Sequence, residues 1–152
     1  MAEGAASEAE TLVPPLRAGG RFAAIAAIVI AASLLLPWYG FRIEKVGAVS
    51  RTGLDAFGWG QAALLLIVCA ALVLIALSAR GYVPPRPLSE GSLLVAAGAW
   101  AAVVCGYLML DRPEQLELFN PVRLRYGIFV ALAAAAALAL GGLRIRQEER
   151  HV

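Results

Sequence analysis

Four long apolar runs, at about residues 22–38, 56–79, 91–110 and 122–143, constrain this chain most, because none has an Asp, Glu, Lys, Arg or His near its middle. A bilayer hydrocarbon core of about 30 Å is crossed by about 20 residues of α-helix, and each run approaches or exceeds that length. The composition agrees. Hydrophobic residues make up 61% and charged residues 16% of the 152-residue chain, whereas a soluble domain is about half apolar and a quarter charged. The predicted fold class is therefore all-α, an integral membrane four-helix bundle of up-down-up-down topology. Four spans use half of the chain or more, which leaves little for a separate soluble domain.

Residues 1–20 are rich in Ala, Gly and Glu, with Pro14-Pro15 near the end, and show no periodicity that could bury a face. They are expected to be a disordered tail. Ala31-Ala32-Ser33 has the small-residue character of a signal-peptide cleavage site. The long acidic segment before it and the continuation through Leu34-Leu35-Leu36 favour an uncleaved span instead. Pro37-Trp38-Tyr39 closes this span with aromatics suited to an interfacial belt.

Thr52-Gly53-Leu54-Asp55 has the form of a capping box opening the second span. Pro84, Pro85 and Pro87 make a stiff connector between the second and third spans. Ser89 is placed to cap the third span, which Asp111-Arg112-Pro113 ends. Residues 113–119 could form one amphipathic turn on the membrane surface. Asn120-Pro121 reads as cap and first position of the fourth helix, which runs to Leu143, and 147–152 reads as a C-terminal tail.

The basic residues are nearly all Arg, with Lys45 the single lysine, and they lie at the ends of the runs instead of along one face. That distribution argues against nucleic-acid binding. With both termini cytoplasmic, Arg17, Arg21, Arg80, Arg86, Arg144, Arg146 and Arg150 fall inside, against Arg42, Lys45, Arg51, Arg112, Arg123 and Arg125 outside. Charge bias alone hardly separates the two orientations. The longer loops, and the grouping of Trp38, Tyr39, Trp59 and Tyr126, favour the inside placement of the termini, in a multi-pass protein of the cell membrane.

Few residues carry chemistry. Arg51 and Asp55, spaced i, i+4, and Asp111 and Arg112 on the same predicted side form a candidate outer-face polar cluster; its ordinary explanation is capping and interfacial solvation. Gln61, about two turns into its helix, reads as an interhelical hydrogen-bonding residue. Cys69 and Cys105 lie within apolar runs, where a free cysteine is most often a small packing residue, and the predicted topology allows them to be neighbours. His151 is the single histidine. Haem ligation, a histidine zinc site and a Ser-His-Asp triad thus lack raw material, and neither a metal nor a cofactor is expected. Catalysis is not expected either.

Small residues recur at four-residue spacing in Ala23-Ala27-Ala31 and in Gly98-Ala102-Gly106, the latter a candidate helix-packing face. Trp100, alone at mid-depth, either fills the bundle or meets a partner.

Leu36-Pro37-Trp38-Tyr39 closing one span and Thr52-Gly53-Leu54-Asp55-Ala56-Phe57 opening the next resemble small four-span membrane proteins of high-GC, actinobacterial-type bacteria, a family that carries no established activity. Claudin-like tetraspans share the span count, but their paired first-loop cysteines have no counterpart here. The expectation is a non-catalytic accessory subunit or scaffold of a membrane complex, with the lipid bilayer, other membrane proteins or further copies of itself as partners. The alternatives are an oligomeric transporter or channel, or a bundle that binds lipid or a small molecule.

Overall fold

The computed structural model describes residues 18–43, 47–55, 58–82, 88–110 and 123–150. Among the described residues there are four helices, α1 (Ala18–Ser33), α2 (Trp59–Ala79), α3 (Glu90–Leu110) and α4 (Tyr126–Arg150), and three strands, β1 (Pro37–Ile43), β2 (Gly47–Thr52) and β3 (Arg123–Leu124). Helices α2, α3 and α4 are long and apolar enough to cross a membrane, and α1 is a shorter apolar helix. Neighbouring helices pack in the cyclic order α1, α2, α3, α4, with α4 most intimately against α3 and α1. Gly19 lies against Ile145, Gly98 against Ala139 and Gly60 against Leu108, so these neighbours run antiparallel.

The all-α expectation is corrected by the sheet. Its order is β2-β1-β3, antiparallel throughout. Strand β1 follows α1 closely for a covalent reason. Helix α1 tightens at its end into i→i+3 hydrogen bonds, from Leu34 N–H to Ala31 O, Leu35 N–H to Ala32 O and Leu36 N–H to Ser33 O. Pro37 then has no N–H to offer, and its ring disfavours a helical Leu36. The span predicted over 22–38 thus ends as a helix at Ser33. The fourth helix likewise starts at Tyr126 and not at Pro121, because Arg123 and Leu124 pair with β1. It continues through 147–150, where a tail was expected. Residues 18–20, expected as the end of the N-terminal tail, form the start of α1, with Gly19 and Gly20 buried; the rest of that tail, Asn120-Pro121 and the surface turn over 113–119 lie outside the described residues.

Each helix buries residues at alternating three- and four-residue steps, such as Gln61, Leu64, Val68, Ala71 and Ile75 on α2, and Gly91, Leu94, Gly98, Ala101, Cys105 and Leu108 on α3. This period belongs to helices crossing at about 20° in a left-handed bundle. It replaces the expected four-residue face. Gly98 is buried and Ala102 half-buried, while a side chain at Gly106 would meet nothing within 4 Å. Ala23 and Ala27 are core residues, whereas Ala31 is half-buried.

Helices α3 and α4 meet backbone to backbone. A Cβ built on Gly91 would lie 2.7 Å from Gly142 O, and one built on Gly142 would lie 2.8 Å from Gly91 O. Each glycine therefore points an Hα at the other's carbonyl, the arrangement of a weak Cα–H···O bond, and neither can be replaced without moving a helix.

The helix ends are closed locally. The Ser89 hydroxyl accepts the Ser92 N–H at 3.2 Å, which makes Ser89 the N-cap of α3 as its sequence predicts. At the end of α2, Gly81 (φ 85°) allows Tyr82 N–H to reach Leu77 O and its own N–H to reach Ser78 O, the bond pattern of a Schellman motif. Ser78 donates to Glu90 and ties the ends of α2 and α3 together.

Candidate functional site

The sheet closes one end of the bundle, and its two faces do different work. Residues directly opposed in an antiparallel pair point to the same side. The pairs Tyr39↔Arg51, Phe41↔Val49 and Tyr39↔Leu124 therefore share one face, and Gly40↔Ser50, Arg42↔Ala48 and Gly40↔Arg123 share the other.

The start of β1 anchors the sheet. Trp38 and Tyr39 are fully buried, which corrects the interfacial placement expected for them. Trp38 Nε1 donates to Ser33 O at 2.7 Å, and Tyr39 OH donates to Leu108 O at 3.0 Å. Leu108 O lies in the last turn of α3, where intrahelical partners run out, whereas Ser33 O also accepts the Leu36 N–H. The two aromatics thus fill the mouth of the bundle and tie β1 to the ends of α1 and α3. Trp59 and Tyr126 are exposed, and Trp59 lies 5.2 Å from Tyr107, centroid to centroid.

An open groove of about 570 Å³ is lined by Gly40, Arg42, Ala48 and Arg123 of the second face together with Phe41, Leu124 and Arg125. Arg42, Arg123 and Arg125 are all exposed. Arg125 is held in two places. Its N–H donates to Trp38 O at 2.8 Å, and its side chain lies across Gly40, where a Cβ would come within 2.6 Å of Arg125 Nε. A side chain at Gly40 would displace this guanidinium, a cation from 85 residues further along the chain. Three guanidinium groups over a small-residue floor suit an anion that accepts bidentate hydrogen bonds. The sequence reading missed this groove, since it assigned these arginines only to loop ends. The alternation of Tyr39, Phe41 and Ile43 with Gly40 and Arg42 was the available strand signal.

Of the expected outer-face cluster, Arg51 and Asp55 are exposed, and Asp111 and Arg112 lie outside the described residues. Asp55 takes Thr52 as partner. Its Oδ2 accepts the Thr52 N–H, and its own N–H donates to Thr52 Oγ1, both at 3.1 Å. The hydrogen bonds from Thr52 hold the Asp55 carboxyl below its ordinary value, with a smaller contribution from the Arg51 charge. The capping-box geometry is thus present, but α2 begins only at Trp59. Gln61 therefore sits in the first turn, and its Oε1 accepts the Gly58 N–H at 3.0 Å. Its Nε2 is buried without a partner.

Cys69 is exposed and Cys105 buried, so they do not share a packing position. Trp100 faces outward. Among the described residues no three His, Cys, Asp or Glu converge on a point that could hold a metal. No family model, curated protein or solved structure matches the chain.

Proposed function

We propose that the chain is a multi-pass membrane protein with cytoplasmic termini that serves as a non-catalytic accessory subunit or scaffold of a membrane complex. The observation that carries this reading is the unequal burial of the helices: 22% of the apolar stretch of α2 is buried, against 44% of that of α4. Helix α4 is the most covered of the three, while α2 and α3 offer Leu66, Val73, Trp100 and Val103 to the surroundings. Half-buried Gly106 on α3 leaves a notch, since a Cβ there would meet nothing within 4 Å. In lipid, helices associate through close packing at such small residues, so the notch gives a partner helix a place for backbone approach.

The interior supports a scaffold better than a pore through one copy. It is filled by Ala, Gly, Leu and Ile, with α3 and α4 at backbone contact and Trp38 and Tyr39 across one mouth.

The test is extraction of C-terminally tagged chain from native membranes in mild detergent, with mass spectrometry of whatever remains bound. A stoichiometric membrane partner, lost in Gly106→Leu while the chain stays folded, is the expected result. Recovery of the chain alone as a defined homo-oligomer would refute the accessory role and favour an oligomeric transporter or channel.

A further inference from the structure

We infer that the Arg42, Arg123 and Arg125 groove binds the phosphate of an anionic lipid headgroup, an assignment that rests on the membrane embedding proposed above. Three guanidinium groups from β1 and from the chain entering α4 are brought to one groove by β1–β3 pairing. Among the described residues none of the three forms an ion pair. Like charges gathered in this way repel one another unless an anion supplies the counter-charge. The start of α4, directly after Arg125, adds the partial positive charge of a helix N-terminus.

Shape agrees with charge. Gly40 and Ala48 keep the floor low, Arg125 lies across Gly40, and a volume of about 570 Å³ is ample for a phosphodiester headgroup.

Position selects the lipid over a soluble anion. Arg125 is the immediate neighbour of exposed Tyr126, and Trp59 with Tyr107 marks the same end of the bundle. Amphipathic aromatics settle at the headgroup level, so the groove opens where lipid phosphates lie. Each basic residue near an anionic leaflet strengthens binding about fivefold, and three together about a hundredfold.

Membrane flotation of the full chain first establishes embedding; its failure would remove the membrane reading without testing the arginines. The embedded chain is then placed in nanodiscs of phosphatidylcholine with or without phosphatidylglycerol, and retained lipid is read by native mass spectrometry. The chain is expected to keep phosphatidylglycerol over phosphatidylcholine, and the triple variant R42Q/R123Q/R125Q to lose about a hundredfold of that preference. The variant R21Q/R144Q/R146Q, with the same charge change at the opposite end, is expected to keep it. Equal losses in both variants, or none in the first, would overturn the site. Displacement of the bound lipid by millimolar inorganic phosphate would overturn the lipid as its occupant.

Discussion

Replacing Gly98 by alanine sets two opposing effects against each other. Alanine within a helix is intrinsically favoured over glycine by about 1 kcal/mol. At position 98, however, the new Cβ would stand 2.5 Å from Ala139 N, 2.8 Å from Ala135 O and 2.9 Å from Ala139 Cα. All three are backbone atoms of α4, so no side chain can turn away. Reaching an ordinary contact of 3.4 Å requires α3 and α4 to part locally by about 0.9 Å, which forfeits contacts that hold helices together in lipid. Overpacking of this kind costs about 1–3 kcal/mol, and an unyielding neighbour belongs at the upper end.

The expected net effect of Gly98→Ala is destabilisation by about 2 kcal/mol. Gly106→Ala makes the same chemical change on the same helix, but in open space. It should therefore stabilise by about 0.5–1 kcal/mol. Reversible unfolding in mixed micelles, followed by tryptophan fluorescence, measures both variants under one set of conditions. Midpoints that move together, with a separation under about 1 kcal/mol, would refute the claim that α3 meets α4 backbone to backbone at Gly98.

Tyr39→Phe removes the hydroxyl that caps Leu108 O at a buried site; it should cost about 1–3 kcal/mol in the same unfolding experiment, and a neutral result would mean that the carbonyl is satisfied otherwise. Gln61→Met removes both an accepted bond from Gly58 N–H and a buried donor without a partner. These oppose one another, so a change within about 1 kcal/mol is expected, and a loss above about 2 kcal/mol would reveal a hidden partner for Nε2. For Asp55 the folded carboxyl titrates below its ordinary value of 3.8 because Thr52 bonds the charged form. Its contribution is therefore present above that value and lost as the pH falls through the folded pKa. The Thr52 amide resonance should titrate with a midpoint below 3.8 and stop responding in Asp55→Asn.

The helices were more legible than the strands. The span predicted over 91–110 is Glu90–Leu110 in the structure, and that over 56–79 begins at Trp59. Long apolar runs bounded by charge and proline leave little choice. Trp38 and Tyr39 misled because aromatics at the end of a span ordinarily lie in the interface, and only the burial of Trp38 against Ser33 and of Tyr39 against Leu108 shows otherwise. Gly98 and Gly106 illustrate the same limit. Small residues four apart are compatible with several faces, and the face actually used passes through Gly91, Gly98 and Cys105. The arginine groove was beyond local reading altogether. It depends on a two-residue strand, Arg123–Leu124, finding Tyr39 and Gly40 some 84 positions earlier, and so short a strand has no periodicity of its own.

The central place of α4 also imposes an order of events. The glycine and alanine surfaces of α1 and α3 are both shaped for α4, the last of the four helices to leave the ribosome. Until α4 arrives, α1 has α2 as its helix neighbour in the finished arrangement, and the contact between Gly19 and Ile145 must wait for most of the chain to be made. Synthesis proceeds at about 5–20 residues per second. At that rate α1 spends several seconds with its small-residue face uncovered, a window in which a partner helix or a membrane chaperone can reach a surface that the finished bundle conceals.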